Sequence, residues 1–420
     1  MNFTPTELGA SIIFAIAVLH TFCTSYFEAL AKKSPRHAGL WHLLGEVEIV
    51  FGFWAAILII FMWLANDLAA AKEYVNQRNF TEPLFVFAIM VVAGSKPILH
   101  FATQLLYKLG HVMQLILRTK QAPTLYFLTL SITPLLGSLI TEPAAMTLAA
   151  FLLRDLVYRH KCSTPLLFGT LGVLFVNISI GGTLTNFAAP PVLMVASTWD
   201  WSTAFMFTNF GLEATIAIFI NATIATLIFH KQLIEPTSKS DHTRIPLTIT
   251  AIHLLFLLGI VSFAHDPVIF MWLLLFFIGY TTAYPKHQSP LILREALLVG
   301  FFLAGLVVLG GLQGWWLQPI LETMSPTAVF YGSLALTAIT DNAALTYLGS
   351  LVQGTSPEFK LALVGGAVAG GGLTVIANAP NPAGLAILRS YFPNAAVSAG
   401  LLFVAAIPPT IVAILALRLL

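Results

Sequence analysis

The sequence predicts an all-α membrane protein built from two inverted repeats, each with about five transmembrane helices and one re-entrant helical hairpin. Two observations predict this fold. First, the chain of 420 residues is 58% hydrophobic and only 9% charged, whereas about a quarter of the residues in a soluble domain are charged. Second, two short phrases occur twice, in the same order. Duplicated acidic and Gly/Pro-rich phrases in an apolar chain are typical of membrane proteins with an internal repeat.

The first duplicated phrase places an acidic residue between two threonines. It reads TEPAAMT at residues 141–147 and TDNAALT at residues 340–346. Each copy lies at the middle of an apolar stretch that is too short to cross a membrane twice, because one helical crossing needs about 20 residues. We therefore expect two re-entrant hairpins, with Glu142 at the tip of the first and Asp341 at the tip of the second.

The second duplicated phrase is rich in glycine and proline. It reads GGTLTNFAAPP at residues 181–191 and GGGLTVIANAP at residues 370–380. Both copies lie inside apolar stretches, 164–198 and 361–391, that are too long for one straight crossing. Each stretch is therefore predicted to be a broken helix, with the glycine phrase as the irregular loop at the break.

The duplicated phrases divide the chain into two repeats. The predicted organisation is a first repeat at 1–230 with its hairpin at 122–153 and broken helix at 164–198, a cytoplasmic linker at 231–245, and a second repeat at 246–420 with its hairpin at 325–352 and broken helix at 361–391. Of the 20 Lys and Arg residues, 15 fall on one side of the predicted spans, and the positive-inside rule makes that side cytoplasmic. The two repeats are then inverted relative to each other. We expect an integral, multi-pass protein of the bacterial inner membrane.

The two hairpin carboxylates are the first candidates for function. A carboxylate at mid-membrane costs about 2.5–3.5 kcal/mol on insertion scales, and this chain has one at each tip. One interpretation is a site where Glu142 and Asp341 bind a sodium-like cation or protons. The alternative is that both acids cap helices. Asp341 is well suited to this role, and Glu142 stands directly before Pro143, which is a good first helical residue. A neutral Ser or Thr would cap without burying charge, which favours the ion site.

Oxygen atoms around the carboxylates are predicted to complete this site. Backbone carbonyls in a broken helix must line a cavity or be bonded by neighbours, and such carbonyls coordinate sodium in transporters. The alternative for each glycine is close helix packing. The candidate residues are Thr141, Thr147, Thr340, Asn342 and Thr346 at the hairpins, and Gly181, Gly182, Thr185, Asn186, Gly371, Thr374, Asn378 and Asn381 at the loops.

Two further charges lie inside predicted spans. Glu213, in the span 203–229, is a candidate proton carrier or a partner of Lys96, and the alternative is a solvated residue at headgroup level. Lys96 lies at the middle of the predicted span 84–107. A lysine at that depth is expected to pair with a buried acid or to carry a proton itself.

Other function classes find little support in the sequence. We find no zinc-ligand spacing, P-loop or serine-hydrolase phrase, so no cofactor is expected and the chain is not predicted to be an enzyme. An intramembrane enzyme that uses the paired acids is the least favoured alternative. The net charge of +2 comes without a basic arm or an aromatic-basic patch, so no nucleic-acid partner is expected.

The chain resembles the ion transporter superfamily in its predicted features, which are two inverted halves, two re-entrant hairpins and two glycine-rich loops. This superfamily includes divalent anion/sodium symporters, arsenite permeases and sodium/proton antiporters. The resemblance extends over nearly the whole chain. GGTLTNFAAPP resembles the GGxxTxxGxPPN loop of that superfamily, with Ala188 and Ala189 at its small-residue step, and GGGLTVIANAPN is similar to the second-half loop.

The hairpin tips distinguish between branches of the superfamily. The symporter branch has a Ser-Asn-Thr phrase at both tips, which binds sodium and the carboxylate of the substrate. Here the tips read TEP from Thr141 and TDN from Thr340, and acidic tips make the chain similar to the sodium/proton antiporter branch. The resemblance implies a homodimer in the lipid bilayer, with a scaffold and a moving transport unit.

The expected function is therefore secondary transport that exchanges sodium, or a similar monovalent cation, for protons by an elevator-like alternating-access mechanism. The alternative is a sodium-coupled symporter of a dicarboxylate-like anion or an inorganic oxyanion. In that case the two acids would be neutralised by bound sodium ions, by helix dipoles or by Lys96.

Overall fold

A computed structural model describes residues 3–160, 162–235 and 245–419. Within these ranges the chain is helical, with short 3-10 and π segments, and contains no strand. This confirms the predicted all-α class. Most of the predicted linker, residues 236–244, lies outside the described residues.

Twenty-two α-helices follow one another within the described ranges. Those before the predicted linker are α1 (Pro5–Thr21), α2 (Thr24–Lys33), α3 (Ala38–Gly45), α4 (Val47–Ala65), α5 (Leu68–Asn76), α6 (Thr81–Ala93), α7 (Lys96–Leu117), α8 (Gln121–Ile140), α9 (Glu142–Leu153), α10 (Thr164–Gly181), α11 (Pro190–Ala196), α12 (Thr203–Met206) and α13 (Leu212–Phe229). Those after it are α14 (Leu247–Ser262), α15 (Pro267–Ala283), α16 (Leu293–Gly310), α17 (Gly314–Leu321), α18 (Pro326–Thr337), α19 (Asn342–Ser350), α20 (Pro357–Gly370), α21 (Pro380–Leu388) and α22 (Ala399–Leu419).

Six helical segments among the described residues are long and apolar enough to cross a membrane, or seven if α6 and α7 form one bent span. They include α4, α8, α10, α16, α22 and the segment that ends with α13. The apolar helices α1, α14 and α15 are shorter, at 16–17 residues. The chain therefore has the helices of a multi-pass integral membrane protein.

The predicted span 84–107 is wrong as one straight helix. Helix α6 ends at Ala93, α7 begins at Lys96, and the two axes bend by 64°. Ser95 has extended backbone angles and Pro97 is the second residue of α7, an arrangement that favours a new helix start. Lys96 is therefore the first residue of a helix and does not lie at the middle of one.

Both predicted hairpins consist of two helices. In the first, α8 has 20 residues and α9 has 12, and only Thr141 separates them. The arms pack closely at Gly137, where an added Cβ would lie 3.3 Å from the Cβ of Ala145. In the second, α18 and α19 have 12 and 9 residues. The first hairpin is therefore asymmetric, because α8 alone has the length of a full crossing.

Both glycine phrases coincide with breaks in a helix. Helix α10 ends at Gly181 and is followed by one 3-10 turn, and α11 begins at Pro190. Helix α20 ends at Gly370, and α21 begins at Pro380. In each case a proline at the first helical position starts the second part, as its fixed φ angle favours.

Contacts between helices cross from one half of the chain to the other. Helix α11 packs against α19, and α21 packs against α9. Helices α4 and α6 both pack against α16. Each hairpin is therefore held against the broken helix of the opposite half, and this arrangement positions the candidate site.

Candidate functional site

Glu142 is the most enclosed acid of the site. It is the first residue of α9 and is 0% exposed. Its Oε2 accepts a hydrogen bond of 2.8 Å from Nδ2 of Asn378 in the second glycine-rich loop. Its Oε1 has no partner among the described residues. The amino end of a helix stabilises negative charge, but one hydrogen bond leaves half of this carboxylate unsatisfied.

Thr141 forms the sharp reversal that brings Glu142 to the tip. Its φ of 72° and ψ of 152° lie in a region that β-branched residues rarely adopt. Such a conformation costs about 1–3 kcal/mol and persists where the surroundings impose it. The Thr141 hydroxyl is buried and has no partner in the described chain. The strained residue therefore carries a buried, unpartnered hydroxyl directly before Glu142 in the chain.

Asp341 differs from Glu142 in its hydrogen bonding. Its Oδ1 accepts hydrogen bonds from the backbone N–H groups of Ala343 at 2.8 Å and Ala344 at 3.3 Å, so it caps α19. Asp341 is only partly buried. The capping alternative thus describes Asp341 but not Glu142. A cap uses one carboxylate oxygen and does not prevent the other from binding a cation.

The two tips meet at one loop. Asn378 donates its hydrogen bond to Glu142, and the carbonyl of the preceding residue, Ala377, accepts one of 3.1 Å from the backbone N–H of Asn342, next to Asp341. Because consecutive Cα atoms are about 3.8 Å apart, neighbouring residues of this loop contact both tips. The loop of the second broken helix therefore bridges the hairpins.

Several buried polar atoms around this junction lack a hydrogen-bond partner in the described chain. They are Oγ1 of Thr141, Oε1 of Glu142, both amide atoms of Asn342, Oδ1 of Asn378 and Oδ1 of Asn381. Buried polar groups in proteins are nearly always bonded. A cluster of unpartnered oxygens next to a carboxylate is therefore well suited to a small cation.

The threonines of the glycine phrases have matching contacts. The hydroxyl of Thr185 donates to the carbonyl of Ser138, and that of Thr374 donates to the carbonyl of Ala338, both at 2.8 Å. The amide of Asn381 donates to the carbonyls of Gly371 and Thr374. The two threonines hold each loop against the first arm of its own hairpin, and Asn381 braces the second loop internally.

Ser138 was not predicted and has a central role in positioning the first loop. Its hydroxyl donates to the carbonyl of Gly181 and accepts from the backbone N–H of Leu184. A signal for it exists in the sequence, because a hydroxyl residue stands three positions before each tip threonine, as Ser138 and Thr337.

Other predicted site residues make contacts elsewhere. The amide of Asn186 bonds to the carbonyl of Trp201 and the hydroxyl of Thr203. Thr147 and Thr346 bond to carbonyls of their own helices. The Thr340 hydroxyl makes only a long contact of 3.4 Å with the carbonyl of Asp341.

The predicted pairing of Lys96 with Glu213 is not observed. The ion pairs among the described residues join Arg154 and Arg159 to Asp155, and Arg294 to Glu46. Glu213 is half-buried at the start of α13, directly after a π segment at Phe207–Gly211. Its Oε2 is buried without a partner in the described part of the chain.

A sequence model of the family described as "Putative Na+/H+ antiporter" matches residues 5–420. No curated protein matches the chain. The family match includes both hairpins and both glycine-rich loops, and it confirms the predicted resemblance to the sodium/proton antiporter branch.

Proposed function

From the premise that this chain belongs to the family described as "Putative Na+/H+ antiporter", we propose that it exchanges sodium, or a similar monovalent cation, for protons across a membrane. The observation that carries the proposal is the enclosed Glu142 carboxylate. It lies at the junction of the hairpin tips, with one oxygen bonded to Asn378 and the other unpartnered.

Competition at this carboxylate would couple the two ions. A carboxylate that is 0% exposed is costly to keep charged without a partner, and either a sodium ion or a proton neutralises it. For sodium, the oxygens of Thr141 and Asn378 that are unpartnered in the described chain would be further ligands, and Asn342 and Asp341 would contribute from the second hairpin. One site cannot hold both ions at once, so each ion must leave before the other binds.

The need to neutralise the Glu142 carboxylate would also prevent the flow of one ion without exchange for the other. An empty, charged site moves through a low-dielectric region only at high cost, whereas a site that holds sodium or a proton is closer to neutral. After one ion has been released, the site therefore moves back across the membrane only when the other ion has bound. Because each tip carries a carboxyl group, two protons can be exchanged for one sodium ion.

Alternating access would follow from two inverted repeats, 1–230 and 246–420, that move by an elevator-like mechanism. The matched contacts of α11 with α19 and of α21 with α9 support such a repeat. In this proposal, helices α8–α13 and α18–α22 form a transport unit that moves past a scaffold of α1–α7 and α14–α17. We place the protein in the bacterial inner membrane as a homodimer, on the strength of the resemblance described above.

The test is sodium-driven proton movement in vesicles that contain the purified protein and a pH-sensitive dye. The unaltered protein should move protons when sodium is added, without any added anion. Glu142→Gln and Asp341→Asn should each lower the rate about a hundredfold, because losing a charged ligand in a buried site costs roughly 3 kcal/mol. The exposed Glu73 on α5 provides a matched control, and Glu73→Gln should exchange normally.

Two results would overturn the proposal. Normal exchange by both tip variants would remove the assigned roles of Glu142 and Asp341. Proton movement that occurs only when a dicarboxylate or an inorganic oxyanion is supplied would favour the sodium-coupled symporter instead.

A further inference from the structure

A cavity of about 250 Å³ lies where α6, α11, α12 and α14 meet. Exposed polar side chains surround its opening, and buried apolar side chains form its floor. The polar side chains are those of Ser197, Thr203, Ser262 and His265, and the floor includes Phe85, Leu193 and Ala196. Glu82, near the start of α6, lies in the wall between them and is only 8% exposed.

The Glu82 carboxylate has hydrogen-bond donors but no cationic partner in the described chain. Its Oε1 accepts a hydrogen bond from the hydroxyl of Ser197 and a longer one, of 3.5 Å, from Nδ2 of Asn79. The cavity lining contains no Lys or Arg within the described ranges, and His265 is its other titratable group. The negative charge of Glu82 is therefore available to a small cation.

Arg78, a basic side chain that lines a cavity together with Glu82, makes its contacts elsewhere. The two residues line a smaller cavity of about 90 Å³. The guanidinium of Arg78 lies 4.6 Å from the centroid of the Tyr74 ring, and its Nε donates to the Tyr74 carbonyl. Arg78 and Glu82 do not form an ion pair in the described structure.

The cavity is separated from the hairpin tips by apolar packing. Phe187 and Leu193 line the cavity and also belong to one apolar cluster with Ile140 and Ala344. Ile140 precedes the tip of the first hairpin, and Ala344 lies in the first turn of α19. Helix α11, which contributes Leu193 and Ala196 to the cavity lining, also packs against α19, the helix that begins after Asp341.

We propose that Glu82 forms a second cation site, which binds a monovalent cation before it reaches Glu142 and Asp341. This inference rests on the proposed function. The site would take a partly hydrated ion, because its volume holds several water molecules, with the Glu82 carboxylate as its direct ligand from the protein. A single negative charge in a cleft with low-dielectric walls raises the local concentration of cations.

The first test separates attraction of the cation from turnover. Glu82→Gln should raise the sodium concentration for half-maximal proton movement about tenfold, the scale of electrostatic focusing in a cleft, while the maximal rate is retained. Glu82→Asp keeps the charge, so its half-maximal sodium concentration should stay closer to that of the unaltered protein. An unchanged half-maximal concentration in Glu82→Gln would overturn the inference.

A purely structural role for Glu82 predicts a different outcome. In that case the contact with Ser197 only ties α6 to α11, and Ser197→Ala should have the same effect as Glu82→Gln. If the carboxylate itself binds the ion, Ser197→Ala should shift the half-maximal concentration much less. Equal effects of the two variants would contradict the second site.

Direct binding of radioactive sodium to the purified protein distinguishes this inference from the proposed function. The Glu142→Gln, Asp341→Asn double variant should retain weak sodium binding, and adding Glu82→Gln should remove it. Residual binding that persists in the triple variant, or no residual binding in the double variant, would overturn the second site. Absence of sodium-driven proton movement by the unaltered protein would overturn the proposed function, whereas sodium binding that depends on Glu82 would still support the second site itself.

Discussion

Gly182 lies directly against the Glu142 carboxylate. A Cβ at Gly182 would lie 2.5 Å from Oε1 and 2.7 Å from Cγ of Glu142. We expect Gly182→Ala to displace the carboxylate from Asn378 and to lower sodium-driven proton movement about tenfold or more, since a lost charge-assisted hydrogen bond costs roughly 1.5–3 kcal/mol. The measurement is the exchange rate in vesicles, with the amount of folded protein checked by size-exclusion chromatography.

Gly279→Ala is the matched control for this substitution. Gly279 lies in α15, and a Cβ there would meet no atom within 4 Å. This variant should exchange at the normal rate. If Gly182→Ala also exchanged normally, the close contact of the first loop with Glu142 would have no part in transport.

At the residue scale, the sequence was most informative where a chemical feature is duplicated. The position of Glu142 and Asp341 at the two hairpin tips could be predicted because an acid recurs inside matched apolar phrases. The burial of Glu82 could not, because an acid in the first turn of a helix is common for dipole reasons alone. Its carboxylate contacts Ser197, which is 115 positions away, and sequence periodicity does not report such a contact.

Helices α4 and α16 contact each other backbone to backbone. A Cβ at Gly305 would lie 2.3 Å from the backbone nitrogen of Gly52 and 2.4 Å from the carbonyl carbon of Phe51. Gly305→Ala must therefore push the helices apart, and overpacking of this kind typically lowers the free energy of unfolding by about 1–3 kcal/mol. We expect a lower melting temperature in detergent, measured by tryptophan fluorescence.

Gly400, at the start of α22, serves as the control for this crossing. A Cβ at Gly400 would meet no atom within 4 Å, so Gly400→Ala should melt like the unaltered protein. The crossing of α4 and α16 lies in the proposed scaffold, and the folded fraction of Gly305→Ala should keep a normal half-maximal sodium concentration. A Gly305→Ala protein with unchanged melting temperature would show that these helices can separate freely.

At the element scale, the breaks at the two glycine phrases could be predicted and the break between α6 and α7 could not. The phrases recur, contain paired glycines and end in proline, so the same sequence signal for a helix break is present in both halves. The stretch around Gly94 and Ser95 occurs once and lies inside an apolar run whose mean hydropathy resembles that of a single span. The 64° bend and the extended backbone of Ser95 show that Lys96 begins a new helix.

At the scale of the whole molecule, transport by an elevator requires the broken helices to move past the scaffold. Asn79, which precedes α6, and Thr198, which follows α11, line the same small cavity of about 90 Å³. In the proposed mechanism Asn79 belongs to the scaffold and Thr198 to the transport unit. A short bridge between these two positions should hold the units in one state.

We therefore expect that Asn79→Cys, Thr198→Cys protein, with Cys23 and Cys162 replaced by serine, stops exchanging sodium for protons when a short thiol-reactive bridge joins the new cysteines. Reduction of the bridge should restore exchange, because the block is a tether and not a loss of fold. Each single-cysteine variant treated with the same reagent controls for the bulk of the reagent. If the bridged protein still exchanges at the rate of the reduced protein, the two units do not slide past each other at this interface. Access to Glu142 would then have to change by local opening around the hairpin tips.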